Sequence, residues 1–225
     1  MDMNKIKDLP LKELLKLDNE LYKAISAAAV KWGKGTHPKH RVTNYHKFFT
    51  DRVTGMLSVL DLGSGRGDVT YDISKTTKGN VVGIEINPNN LKYARSTYKN
   101  KNLKFICGDI TKNIPERHFD IVVMSNVLEH LPKRAKLLKG IVKTVTPDQI
   151  LFRIPHFERE WMVPVKKELG VDYMLDRTHY IEYTHKEFED EMHDAELTIL
   201  EKVVNWGEIW AVCVPGVYIP QGEDK

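Results

Sequence analysis

The chain holds only two cysteines in 225 residues, so no disulfide framework is available to it. Both Cys107 and Cys213 sit inside apolar runs, LKFIC and AVCV, which predicts buried, reduced thiols. No apolar run is long enough to span a bilayer, and the mean hydropathy of −0.41 excludes a transmembrane helix. The first residues, MDMNKIKDLPLKELLK, are charged throughout and lack the apolar core of an export signal, so a cytoplasmic location is expected. A surplus of one charge is also missing, since 34 basic and 31 acidic side chains leave +3. That small sum hides opposed parts: +5 over residues 1–50, +6 over 51–150 and −8 over 151–225. With no basic stripe or tail, a nucleic-acid partner is not expected. Internal repeats, low-complexity tracts and linkers are absent too.

What is present is a globular composition, 41% hydrophobic and 29% charged, in a length that supports one large core. Residues 9–32 carry Leu11, Leu14, Leu15, Leu21, Tyr22, Ile25, Ala28, Ala29 and Trp32 at helical spacing, ending at Gly33 and Gly35. A second helix is predicted over 41–53. The rhythm then changes to short apolar runs, LSVLDL (57–62), VVGIEI (81–86), LKFICG (103–108), FDIVVMS (119–125) and QILFRIP (149–155). Helical stretches at about 67–77, 88–100 and 132–146 separate them, which argues for a doubly wound parallel α/β sheet. LTILEKVVN (197–205) and EIWAVCVP (208–215) are joined only by Trp206-Gly207, so the last strand must turn back antiparallel. The polar segment 155–182 is too long for an ordinary connection and reads as a substrate or lid insertion. The expectation is one domain over 1–225, with residues 1–53 as a helical extension.

The most informative stretch is VLDLGSGRGD, residues 59–68. A strand enters Gly63, Gly65 and Gly67, then a helix begins, at the crossover where nucleotide-like ligands bind. A dinucleotide fingerprint needs glycine three positions after Gly65, where Asp68 stands, and the phosphate-loop lysine pattern is absent. Asp61 and Asp68 suit a cationic ligand better than a pyrophosphate. Glu85 ends the second strand, where a carboxylate accepts from a ribose diol, and Asp109 ends the third.

The succession VLDLGSGRGD, VVGIE, CGD and FDIVVMSNVLEHL resembles the class I S-adenosylmethionine-dependent methyltransferases. The resemblance covers about residues 57–132 and implies a Rossmann-like methyltransferase fold, a seven-stranded sheet whose last strand is antiparallel. It implies S-adenosylmethionine as cofactor and S-adenosylhomocysteine as product. Asp61, Gly63, Ser64, Gly65 and Gly67 would cradle the methionine part, Glu85 with Ile86 the ribose, Asp109 and Ile110 the adenine, and Asn126 would sit beside the sulfonium.

The turn after the fourth strand reads Ser125-Asn126-Val127-Leu128, not the Asn/Asp-Pro-Pro-aromatic turn of enzymes that methylate amino groups of nucleic-acid bases, and no cysteine pair suggests methylation of base carbon. These departures favour an oxygen acceptor, which needs a base. Among nine histidines, His179 comes first, oriented by Asp176 three residues earlier, and His156, directly after the fifth strand, comes second. His130 lies in the NVLEHL motif near the cofactor. Arg153, Arg159 and Trp161 are candidates for holding substrate, and Lys39, Arg41 or Tyr45 could reach in from the N-terminal helices. The stretches RIPHFEREW, KKELGVDYMLDRTHYIEYTHKEF and VNWGEIWAV look like a subgroup of bacterial methyltransferases found with surface-polysaccharide genes. That implies a sugar, a nucleotide-activated sugar or a glycan precursor as substrate. A protein or RNA methyltransferase, or a non-catalytic cofactor-binding subunit, is the alternative; monomer and homodimer both remain open. No metal is expected: Asp176, Glu182 and His179 are an incomplete ligand set, and His37-x-x-His40 is a bare pair.

Overall fold

The structure, a computed structural model, describes residues 6–216. One sheet contains β1 (Val59–Leu62), β2 (Val81–Glu85), β3 (Leu103–Cys107), β4 (Ile121–Ser125), β5 (Gln149–Pro155), β6 (Leu197–Asn205) and β7 (Glu208–Pro215). The spatial order is β3-β2-β1-β4-β5-β7-β6. β1 to β5 are parallel, and β7 runs antiparallel to β5 and to β6. This is the doubly wound sheet with an antiparallel last strand that the alternation of apolar runs predicts. Its direction of winding reverses between β1 and β4, which opens a crevice at their carboxyl ends.

The helices are α1 (Leu11–Trp32), α2 (Lys39–Thr43), α3 (His46–Thr50), α4 (Asp68–Ser74), α5 (Pro88–Thr97), α6 (Arg134–Val145), α7 (Met162–Glu168) and α8 (His185–Asp194). Strand side chains alternate between two cores. Leu60, Leu62, Val82, Ile84, Val122 and Met124 pack with Leu138, Ile141 and Val145 of α6 and with Phe188 and Met192 of α8. Val59, Val81, Ile121, Val123 and Leu151 face the other way, onto Ile73 of α4 and onto Phe48, Phe49 and Val53. Phe48, Phe49 and Val53 of the N-terminal extension thus belong to the core, each buried phenylalanine contributing about 1.5–3 kcal/mol.

Local signals set the helix ends. Asn87 caps α5, its side chain accepting from Asn89 N at 2.9 Å, with Pro88 at the first helical position. Thr184 and Glu187 form a capping box on α8. Trp206 and Gly207, at φ +54° and +74°, make the two-residue turn between β6 and β7.

Three expectations need correction. The helix over 41–53 is two, because Asn44 takes a left-handed conformation, φ +51°, that asparagine tolerates and that ends α2. The apolar stripe of α1 is mostly solvent-facing, with Leu15 buried but Leu11, Leu21, Tyr22, Ile25 and Trp32 exposed. Polar links hold α1 to the 155–182 segment instead: Lys166 Nζ to Asp18 at 2.5 Å, and Asn19 Nδ2 donating to Asp172 O at 2.6 Å. Cys107 is exposed because β3 is a sheet edge, whereas Cys213 on β7 is buried and its thiol is pushed up to about 12. Among the described residues no helix is long and apolar enough to cross a membrane.

Candidate active site

The loop from β1 to α4 is shaped by three glycines at positive φ, Gly63 at +74°, Gly65 at +55° and Gly67 at +86°. A side chain at Gly63 would meet Val127 at 2.5 Å, and one at Gly67 would meet the Phe105 ring at 2.6 Å. A side chain at Gly65 would meet nothing within 4 Å, so that face of the backbone is open. Ser64 Oγ and Asn126 Oδ1 are buried yet have no hydrogen-bond partner.

Acids stand at successive strand ends around this loop. Asp61 is buried on β1 and accepts from Thr70 Oγ at 2.5 Å. Burial pushes its carboxyl up to about 6, against the pull of the Thr70 hydrogen bond. Glu85 ends β2, accepting from Gly65 N at 2.8 Å and from Asn87 N at 2.6 Å. Each of its oxygens keeps a lone-pair direction beyond those bonds. Asp109 follows β3; hydrogen bonds from the Thr111 hydroxyl and amide, aided by Lys112, hold its carboxyl down at about 2. Ile86 beside Glu85 is exposed, and Ile110 is buried in the core, lining a separate cavity of about 480 Å³.

Open polar backbone, orphaned buried acceptors and acids at two adjacent strand ends fit a cationic nucleoside ligand, and the residues present suit S-adenosylmethionine. Asn126 sits just after β4 at φ +54°, its amide donating to Arg153 O at 2.6 Å.

Asn126 also lines a second, larger cavity of about 710 Å³, together with Glu129, His130, His179, Arg153 and Arg159. The short 3₁₀ turn Leu128–His130 presents two of these. Glu129 is 0% exposed, neither carboxylate oxygen has a partner, and burial raises its carboxyl to about 7. The rings of His130 and His179 meet edge-on with centroids 4.6 Å apart. Burial lowers His130 from the usual imidazole range. Glu129 is not among the residues expected from the sequence, although a carboxylate that follows Val127-Leu128 in the turn after a buried strand was the signal.

Several expected partners are rearranged. His179 does not pair with the Asp176 carboxylate, which turns back onto Thr178 N at 2.8 Å and Thr178 Oγ at 2.7 Å. His179 Nδ1 lies 3.1 Å from Glu182 Oε1 instead. Burial alone would raise Glu182, but His179, the Leu175 amide and Arg159 outweigh it and hold the carboxylate low. Arg159 is spent on that clasp, pairing with Glu182 and donating to Tyr173 O at 2.8 Å and His156 O at 3.2 Å. Arg153, only 3% exposed, makes a two-pronged pair with Glu208 at 2.6 Å for each prong and lies 3.6 Å over the Tyr45 ring. Neither arginine is a free fork for a substrate anion.

Tyr45 is buried beneath that guanidinium, its hydroxyl 3.0 Å from His40 Nδ1. Arg41 is exposed and outside the cavity lining, whereas Lys39 is part of it. Trp161 is 67% exposed and does not line the cavity. His156, 4% exposed, is also outside the lining; its ring meets that of His185 edge-on and lies 3.5 Å from Glu158. Its position at the strand end put it near the crevice in sequence, but its side chain packs against the start of α8.

Residues 60–152 match the family described as methyltransferase domain. A demethylmenaquinone methyltransferase of Lactococcus lactis is 32% identical over 97 residues, covering 40% of this chain and 38% of that protein. The chain thus spans about two fifths of that relative's length. The fold is similar to an S-adenosylmethionine-dependent methyltransferase from Clostridium acetobutylicum, at TM-score 0.61 and 14% identity, covering 83% of this chain and 99% of that one. It is also similar to the magnesium protoporphyrin IX methyltransferase of Synechocystis with bound S-adenosylhomocysteine, at TM-score 0.57 and 13% identity, covering 95% and 92%. Residues 60–152 thus match a methyltransferase domain, and the strand order around them is the fold of S-adenosylmethionine-dependent methyltransferases.

Proposed function

We propose that the protein methylates the hydroxyl of a small polar acceptor held in the cavity beside Asn126. The observation that carries this reading is the cavity itself: about 710 Å³, with the Glu129–His130–His179 cluster among its lining. Asp61, the Gly63–Gly67 loop and Glu85 would hold the cofactor, with Asp109, Ile86 and Ile110 about its adenosine end. When bound, S-adenosylmethionine supplies a methyl group on a positively charged sulfur. The residues of this chain supply the rest. Asn126 sits between loop and cavity and orders the boundary between donor and acceptor. Residues of α1 and of the insertion 155–182 line the cavity. The acceptor hydroxyl gives up its proton to the Glu129–His130–His179 cluster, while Glu182 holds the His179 ring in place from behind. One carbon–oxygen bond forms, one carbon–sulfur bond breaks and one proton is released. The lining is rich in hydrogen-bonding groups, such as Asn19, Lys23, Ser26, Thr43 and Asp176, which suits a polyhydroxylated acceptor. A sugar or nucleotide-activated sugar is therefore the substrate class.

The experiment is incubation with trideuteromethyl-labelled S-adenosylmethionine and a panel of sugars and nucleotide sugars, read by mass spectrometry. The expected product is a methyl ether formed in step with S-adenosylhomocysteine. Label appearing on protein or RNA instead, or on acceptor nitrogen, contradicts the reading.

A further inference from the structure

One carboxylate oxygen of Glu129, one ring nitrogen of His130 and one of His179 all lie within 4.8 Å of one another. Glu129 is fully buried with both oxygens unpartnered, an arrangement that is costly unless something polar meets the carboxylate. The two imidazoles are fixed from behind. The Glu182 carboxylate only accepts, so His179 Nδ1, 3.1 Å away, carries the proton and the lone pair is left on Nε2. The Thr178 hydroxyl donates to Asp176 Oδ1 at 2.7 Å, so towards His130 Nδ1 at 2.8 Å it is the acceptor. His130 likewise keeps its lone pair on Nε2. Metal-binding histidines are typically held this way, with the other ring N–H donated to a second-layer acceptor.

We propose that Glu129, His130 and His179 bind a divalent transition-metal ion. Two imidazoles and one carboxylate suit zinc, manganese or iron better than magnesium or calcium, which prefer all-oxygen sites. Three protein ligands leave positions open, and the cavity they line supplies room for a substrate oxygen there. The unpartnered Asn126 Oδ1 lines the same cavity and adds a further oxygen donor nearby. A second group with comparable spacing, His118, Asp120 and Asp148, lies towards the surface, and Asp120 is already engaged by Ser58 N and Ser58 Oγ. It serves as the control.

The proposal rests on the cavity being the acceptor site, and it explains how the cluster loosens the acceptor proton: a cation makes a nearby hydroxyl more acidic, and with both imidazole lone pairs on the cation the proton passes to the Glu129 oxygen that does not ligate it. The test is made on the full chain after treatment with a chelator. Zn²⁺ and Mn²⁺ are titrated separately, with calorimetry for both and loss of the free-ion paramagnetic resonance signal for Mn²⁺. S-adenosylhomocysteine binding is measured on the same samples as a check of folding. One site per chain is expected. Its affinity falls roughly ten- to hundredfold in Thr178→Val, which removes the exposed hydroxyl that supports His130 and bonds Asp176, and leaves all three ligands in place. It falls further in His130→Ala and His179→Ala, and is unchanged in His118→Ala. Absence of a stoichiometric site, equal affinity in the His130 and His179 variants, or loss only in His118→Ala overturns the proposal. Should the alanine variants fail to fold, Thr178→Val decides by the same criterion. S-adenosylhomocysteine binding and methyl transfer without any bound metal overturn the cation alone and leave the functional reading standing.

Discussion

His179→Ala lowers the turnover of methyl transfer about 10²- to 10⁴-fold, the range that positioned proton-transfer groups contribute. Cofactor affinity stays near that of the unaltered chain. The separation follows from where the residue sits: His179 is on the insertion, lining the acceptor cavity, while the glycine loop, Asp61 and Glu85 are on β1 and β2. Glu129→Gln acts in the same direction, since it removes the one carboxyl group of the cluster. Asp176→Ala is the informative contrast. Its carboxylate bonds Thr178 and not His179, so it acts at one remove, through the loop and the His130 support, and its loss costs much less than that of His179. Single-turnover kinetics with saturating cofactor separate these cases. Equal losses in Asp176→Ala and His179→Ala would restore the pairing that spacing alone suggests.

Arg153→Ala destabilises the fold by about 3–5 kcal/mol, the usual cost of removing one partner of a buried ion pair. The guanidinium bridges neighbouring strands, from β5 to Glu208 on β7, and also donates to Ser125 Oγ at 3.1 Å. Without it Glu208 keeps only the weaker 3.2 Å bond from Trp210 Nε1, and the Tyr45 ring loses its cover. Arg153→Met paired with Glu208→Leu recovers most of that loss, because removing both charges leaves none buried unpaired. Denaturant midpoints of the single and double variants check this. If Arg153 were instead a substrate fork, Arg153→Ala would raise KM and leave the midpoint where it was.

These two residues mark the line between what was legible in the chain and what was not. The cofactor end is written locally. Three glycines spaced by two, an acid two positions before them and another closing the next apolar run read the same in sequence as in space, because each motif is set by a strand end and the turn after it. The strand hairpin at 197–215 is equally local, fixed by a two-residue turn. The acceptor end is assembled from distant pieces. Arg153 meets a partner 55 positions away, and no spacing distinguishes a buried pair from a free fork. His179 has an acid three residues before it and another three residues after it, and only the path of the loop selects Glu182 over Asp176. Burial of Glu129 depends on how β5 and the insertion meet the turn after β4, where Tyr180 N donates to Glu129 O at 2.8 Å. Exposure of Cys107 depends on strand order, which an apolar run does not disclose. The stripe on α1 misled for a related reason, since helical spacing of leucines says that a face is apolar, not that this domain covers it.

The central claim is that the crevice between β1 and β4 is an S-adenosylmethionine site. Calorimetric titration of the purified chain with S-adenosylhomocysteine tests it most directly, alongside Glu85→Ala as the comparison. The account predicts one site per chain, with a dissociation constant in the range of about 1 μM to 1 mM that suits working enzymes, and a marked weakening in Glu85→Ala. No saturable binding to the folded chain, or binding that Glu85→Ala leaves unchanged, would contradict it.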